Sequence, residues 1–163
     1  MRGYTFRRMA DRDRPMIRRW LQTPDVRRWW SLPGGELSID EDEIAAGRVA
    51  AWIVAHEGRC FAYLQDYNPH AWPAHPLGDL PPGSRGIDQF IGEPNMIGQG
   101  HGSAFIRAHA EALIGGGAPA VGTDPDPANA RAIRAYEKAR FVAWREGPGW
   151  EGARALLMVR FAS

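Results

Sequence analysis

The sequence predicts a mixed α/β fold, a sheet with helices on both faces. Three observations predict it. Short apolar or alternating stretches recur along the whole chain, at residues 4–9, 49–55, 59–67, 86–92, 119–123, 141–146 and 153–161. Helical runs fall between them instead of gathering at one end. Turn residues punctuate the joins, as at Gly115-Gly116-Gly117, Pro125-Asp126-Pro127 and Pro148-Gly149. A chain of 163 residues is read as a single domain, 1–163, with no internal repeat or low-complexity tract.

Taken in order, Tyr4–Met9 sets Tyr, Phe and Met among Thr and Arg, as a first strand does. Asp11 is placed to cap a helix, with Pro15 in its opening turn and Met16, Ile17, Trp20 and Leu21 on one face. Thr23-Pro24-Asp25 restarts the chain into a second short helix carrying Val26, Trp29 and Trp30, which Gly34-Gly35 ends. Ser38 or Asp40 opens a third, 40–48, whose acidic first turn suits the helix dipole. That turn also admits a second reading, as a negative rim for a cationic ligand. Residues 49–55 and 59–67 form a hairpin about His56-Glu57-Gly58. Residues 68–84, rich in Pro, Gly and His around Trp72, read as a long functional loop. A central strand, a glycine-rich turn, a helix over 104–114, a strand, a helix to about Ala139 and a closing hairpin complete the chain.

Composition excludes several classes. Apolar residues at 44% and charged residues at 24% are ordinary for a soluble globule. A net charge of +1 argues for neither nucleic acid nor a membrane surface as partner. No apolar run would span a bilayer, and the start of the chain carries no secretory pattern. A lone cysteine, Cys60, makes no internal disulfide, which fits a reducing cytoplasm; in a strand pattern it reads as a small core residue.

The stretch 86–103 carries the chemistry. Gly86-Ile87-Asp88-Gln89-Phe90-Ile91-Gly92 is a strand, Glu93-Pro94-Asn95 turns it, and Ile97-Gly98-Gln99-Gly100-His101-Gly102-Ser103 leads into a helix. Glycines let bare backbone N–H groups crowd together, and a helix start adds unpaired donors with partial positive charge, so this is a phosphate cradle. The spacing fits neither a P-loop nor the dinucleotide fingerprint. Two stretches follow: Thr123-Asp124-Pro125-Asp126-Pro127-Ala128-Asn129, and a helix reading Arg131-Ala132-Ile133-Arg134-Ala135-Tyr136-Glu137-Lys138-Ala139-Arg140-Phe141. In this order and spacing the three segments resemble the GNAT superfamily of acetyl-CoA-dependent N-acetyltransferases, most closely its aminoglycoside 6′-N-acetyltransferase branch. A looser likeness reaches back through Gln65-Asp66-Tyr67 to Trp29-Trp30. Where the superfamily usually has Arg or Gln, this chain has Ile97, a minor departure because backbone amides do most of the phosphate binding.

The resemblance implies a mostly antiparallel sheet of six to seven strands and acetyl-CoA as cosubstrate. It implies Gly98, Gln99, Gly100, His101, Gly102 and Ser103 around the diphosphate, with the edge at Phe90 and Ile91 pairing the pantetheine arm. Asn129 either caps its helix or binds the coenzyme. An attacking amine must lose a proton and a leaving thiolate must gain one. Asp88 is the candidate base, the alternative being a salt bridge with Arg85 or Arg134. Tyr136 is the candidate acid, the alternative being a core tyrosine. The acceptor is expected to be a small cationic amine of aminoglycoside type, met by Asp66, Asp88 and Asp124, with Asp126 a further candidate and Trp29 and Trp30 as flat platforms or as core. A siderophore precursor or other small amine is the alternative acceptor, and a catalytically silent acyl-CoA-binding protein the alternative class. No metal is expected, and the chain is read as a monomer or homodimer.

Overall fold

The computed structural model describes residues 3–30, 41–149 and 153–163. The proposed stop at Gly34-Gly35 and the helix opening at Ser38 or Asp40 lie outside them. The strands are β1 (Tyr4–Arg8), β2 (Val49–His56), β3 (Arg59–Tyr67), β4 (Arg85–Ile91), β5 (Ala120–Thr123), β6 (Val142–Pro148) and β7 (Arg154–Phe161). They form one seven-stranded sheet in the order β1-β2-β3-β4-β5-β7-β6. β4 and β5 run parallel; β1 with β2, β5 with β7 and β6 with β7 run antiparallel. The α-helices are α1 (Arg14–Leu21), α2 (Pro24–Trp30), α3 (Glu41–Ala45), α4 (His101–Gly115) and α5 (Ala130–Lys138). Among the described residues, no helix is long and apolar enough to cross a membrane.

The chain divides into two compact units, Met1–Gln65 with Gln89–His101, and Asp66–Asp88 with Gly102–Ser163. In the first, β2 and β3 join at Glu57 (φ 50°) and Gly58 (φ 82°), a pair of left-handed residues whose twist suits a two-residue hairpin. Asp13, not the expected Asp11, anchors the start of α1. Its Oδ2 accepts from the Ala10 N–H at 2.8 Å, and Arg7 grips both oxygens at 2.7 and 2.6 Å. That guanidinium holds the Asp13 carboxyl below the usual carboxylate range. Asp11 faces solvent and pairs only with Arg14. The acidic turn of α3 is also engaged locally, Glu43 by Arg48 at 2.5 Å and Glu41 by Arg14.

Ile17, Trp20 and Leu21 pack with Val26, Ala51, Ile53, Tyr63 and Phe90 as the core of this unit. Past β4, the Gly92 and Glu93 N–H groups both donate to the Phe61 carbonyl, at 2.8 and 3.2 Å, the pattern of a bulge. Glycine is required there: a Cβ on residue 92 would lie 2.1 Å from the Trp20 ring. The same indole donates from Nε1 to Glu93 at 2.5 Å, and Arg59 ties Glu93 to Asn95.

In the second unit the segment 68–84 is a loop, as expected, and it packs onto the sheet through two leucines. Leu77 and Leu80 are buried with Ala120, Ala155, Leu157 and Val159, and Gly122 leaves them room, since a Cβ there would come within 2.9 Å of Leu77. Its histidines hold the backbone: His70 Nε2 donates to the Leu80 carbonyl at 2.9 Å, and His75 Nδ1 accepts from the Leu77 N–H at 3.1 Å. Burial, then the neighbouring His70, lowers the His75 pKa to about 4, so it is neutral at pH 7. α4 starts at His101, three residues before the expected Ala104, and takes Gly102 and Ser103 into its first turn. α5 ends with Phe141 N–H bonded to the Tyr136 carbonyl and Arg140 N–H to that of Glu137, at 3.0 and 2.9 Å. This is a Schellman ending, with the Phe141 ring against Tyr136 at 5.5 Å and Arg140 in the left-handed position at φ 73°.

Candidate active site

Side chains alternate between the two faces of a strand, and the second unit uses that alternation to separate two clusters. On one face the Tyr67 ring lies against Gly86, where a Cβ would sit 2.4 Å from Tyr67 Cζ. Gly86 pairs with Gly122 in the parallel register of β4 and β5. Asp88 follows Gly86 by two residues, and Asp124 follows Gly122 by two, so both acids emerge on this face. Their carboxyls are half-buried and hydrogen-bonded to each other. Two carboxyls this close give up the second proton less readily than the first. Burial, then the charge of Asp88, then that hydrogen bond push Asp124 well above the usual carboxylate range.

Tyr67 and Tyr136 share this acidic surrounding. Burial pushes the Tyr67 phenol well above 10, and the charges of Asp88, Asp124 and Tyr136 add to it, so it remains a proton-bearing donor. Tyr136 is 3% exposed and held by the Schellman ending of α5. Neither alternative partner of Asp88 takes that role in the described contacts: Arg85 turns to Asp66, and Arg134 is exposed. The turn before α5 is pinned by β7, since Leu156 N–H donates to the Pro125 carbonyl at 2.9 Å. Asp126 caps that turn by accepting from the Ala128 N–H, and Asn129 caps α5 by accepting from the Ala132 N–H at 3.2 Å.

The opposite face holds the second cluster. Asp66 Oδ1 accepts from Arg85 Nη2 at 2.5 Å and Nε at 3.2 Å, and Oδ2 lies 2.9 Å from His109 Nε2. The Asp66 and His109 side chains are 5% and 6% exposed. The expectation that Asp66 faces a cationic ligand is therefore corrected: its two oxygens are occupied by the chain's own donors, on the side away from Asp88. Sequence reading missed both this cluster and Tyr67. Tyr67 had a signal, an aromatic residue ending a strand beside an acid; His109 lies 43 residues from Asp66 and had none.

The glycine turn is open. Gly98 (φ 76°) and Gly100 (φ 84°) are exposed, left-handed, and have nothing within 4 Å of where a Cβ would stand. Gln99 bonds its side-chain amide to the Asn95 carbonyl, which braces the turn. The His101 side chain points into the first unit, where Nδ1 lies 2.7 Å from the Tyr4 hydroxyl and the ring is 4.8 Å from His56 and 5.4 Å from Phe61. Any contact from residue 101 to a phosphate is thus through its backbone. Phe90 is a core ring, so it too offers only backbone. Trp30 packs edge-on against Phe90 and Tyr63 at 5.0 and 6.0 Å, while Trp29 is half-buried beneath the Arg28 guanidinium at 4.6 Å. Among the described residues, no three His, Cys, Asp or Glu side chains stand together as metal ligands.

The acid-bearing strand β4 thus passes through a bulge into an open glycine turn and then the start of α4. The chain belongs to the acetyltransferase (GNAT) domain family, whose pattern matches residues 9–148. It is 33% identical over 152 residues to an aminoglycoside N(6′)-acetyltransferase type 1 of Klebsiella pneumoniae, a match covering 84% of this chain and 73% of that protein. It is 46% identical over 61 residues to a kanamycin resistance protein of Rhizobium radiobacter, covering 37% of this chain and 56% of that one. Among solved structures, the aminoglycoside acetyltransferase AAC(6′)-Ib in complex with coenzyme A and kanamycin superposes with a TM-score of 0.85 at 30% identity, over 98% of this chain and 95% of that one.

Proposed function

We propose that this enzyme transfers acetyl from acetyl-CoA to a primary amine of a polycationic acceptor, the 6′-amine of an aminoglycoside. The observation that carries this reading is the Asp88–Asp124 pair. Two carboxyls forced together in a half-buried site give up the second proton less readily than the first. A substrate ammonium supplies the positive charge that lets both ionise, so the site selects a cation. Asp88 then takes a proton from that ammonium, and the neutral amine attacks the acyl carbon. Bound acetyl-CoA supplies the thioester: the N–C bond forms as the C–S bond breaks. Tyr136 donates its phenolic proton to the departing sulfur and regains one as the acylated nitrogen sheds its second proton through water, and Tyr67 steadies the acid pair with its own hydroxyl.

The backbone N–H groups of Gln99 to Ser103 hold the diphosphate at the start of α4, where no side chain fills the space at Gly98 or Gly100. The backbone at Phe90 and Ile91 offers strand-like pairing to the pantetheine amides. The side-chain nitrogen of Asn129 adds a contact from the start of α5. Trp29 and Trp30 are the candidate flat platforms for the acceptor's rings. A smaller amine with fewer charges remains the second reading, and one observation favours it. Asp79, a carboxylate of the 68–84 segment, is tied to Arg145 at 2.6 Å, so it adds nothing to an acidic cage.

A thiol-release assay across aminoglycosides, polyamines and hydroxylysine derivatives tests the acceptor. Turnover is expected with aminoglycosides bearing a free 6′-amine and not with those lacking it. Activity confined to the small amines would replace the first reading with the second. Asp88→Asn should lower kcat by about 10²–10⁴-fold while the KM for acetyl-CoA stays near that of wild type. An unchanged pH profile with full activity would remove Asp88 as the base.

A further inference from the structure

We propose that Asp66, clasped by Arg85 and His109, is the positioning residue that seats Tyr67 against the Asp88–Asp124 pair. The inference rests on the function proposed above and extends it to a group that touches no substrate.

Asp66 and Tyr67 are consecutive on β3, so their side chains leave opposite faces. Arg85 and Gly86 are consecutive on β4 in the same way. Asp66 meets Arg85 on one face, and Tyr67 meets Gly86 on the other. Two adjacent peptide units therefore carry a fixed polar contact behind and a close aromatic contact in front. His109, from the third turn of α4, closes the clasp from behind at 2.9 Å. The buried Tyr67 ring fills the space that a Cβ on Gly86 would take, its hydroxyl oxygen 2.7 Å from where that atom would stand. A shift of β3 along β4 would move that hydroxyl relative to both acids.

Energetics favour a positional role. A buried ion cluster is a weak source of stability compared with apolar side chains of the same volume. Its hydrogen bonds have narrow length and angle limits, which apolar packing lacks. A carboxylate held from two directions fixes the strand offset in a way that Leu-like contacts would not. Acceptor chemistry needs that fixity, because a misplacement of about 1 Å costs on the order of 10²-fold in rate.

The test uses the full-length protein with 13C-labelled tyrosine, the Tyr67 resonance being assigned by Tyr67→Phe. His109→Leu keeps volume and removes the donor, whereas His109→Gln keeps an N–H near the Nε2 position. We expect His109→Leu to move the Tyr67 resonance and to lower kcat by about tenfold or more, with the KM for acetyl-CoA within about twofold. His109→Gln should restore both. If His109→Leu fails to fold, Asp66→Asn is read by the same two measurements. A lowered melting temperature with an unmoved Tyr67 resonance and wild-type kcat would overturn the proposal, as would a Gln variant as impaired as the Leu variant. The resonance needs no turnover, so a wild type that acetylates no amine would refute the function above and leave this test intact.

Discussion

Asp124 shows how a single residue trades fold stability for chemistry. Its carboxyl is held well above the ordinary range by burial and by Asp88. Between the ordinary and the raised pKa, the folded chain keeps a proton that the unfolded chain has released. Stability is therefore full in acid and falls as pH rises through that window. Asp124→Asn removes the effect. Its melting temperature should match wild type near pH 4 and exceed it by a few degrees at pH 8, since about 1 kcal/mol moves the midpoint by roughly 2–4 °C at this chain length. Acetylation should fall in the same variant. A difference in melting temperature that stays flat with pH would show that the pair carries no shared proton. The sequence revealed both acids through the motifs that surround them, but not their bond, because Asp88 and Asp124 meet only when β4 and β5 align in register. Asp66 was misjudged for the same reason. A carboxylate beside a tyrosine looks open until the helix that covers it is folded.

The ending of α5 makes the same argument for an element. The Asp-Pro turn and the stretch 131–141 announce the helix, and its hydrogen-bonded termination places Tyr136. The residue at the left-handed position is Arg140, where a side chain is strained by about 1 kcal/mol and glycine is not. Arg140→Gly should raise the melting temperature by roughly 2–4 °C with kcat unchanged, while Arg140→Ala should give no gain. A glycine variant no more stable than wild type would mean the arginine repays its strain elsewhere. Element boundaries were legible to within a few residues. α4 begins before Ala104 because Gly102 and Ser103 adopt helical geometry once the two left-handed glycines have turned the chain. The segment 68–84 is the loop its prolines, glycines and histidines announce, but they gave no sign that Leu77 and Leu80 are buried in the space left by Gly122.

At the scale of the whole molecule, ligand binding and folding are one equilibrium. Acetyl-CoA at about 100 times its Kd should stabilise the fold by about 2.7 kcal/mol, a rise of roughly 5–10 °C. Gly100→Val should abolish that rise, because it forces a branched side chain into a left-handed conformation inside the open cradle. A rise that survives the substitution would place the coenzyme elsewhere. The sequence pattern marked the seven strands along the chain, but not the parallel β4–β5 pair or the β5-β7-β6 inversion, which depend on where the crossing helix and the last hairpin pack. What no pattern foretold is the indole of Trp20 standing where a β-carbon of residue 92 would be. Positions 20 and 92 are therefore one inherited choice: a bulkier letter at the second demands a smaller one at the first. The mouth of a turn about seventy residues later thus constrains the front of the chain, and relatives with a larger residue at 92 should carry a smaller one at 20.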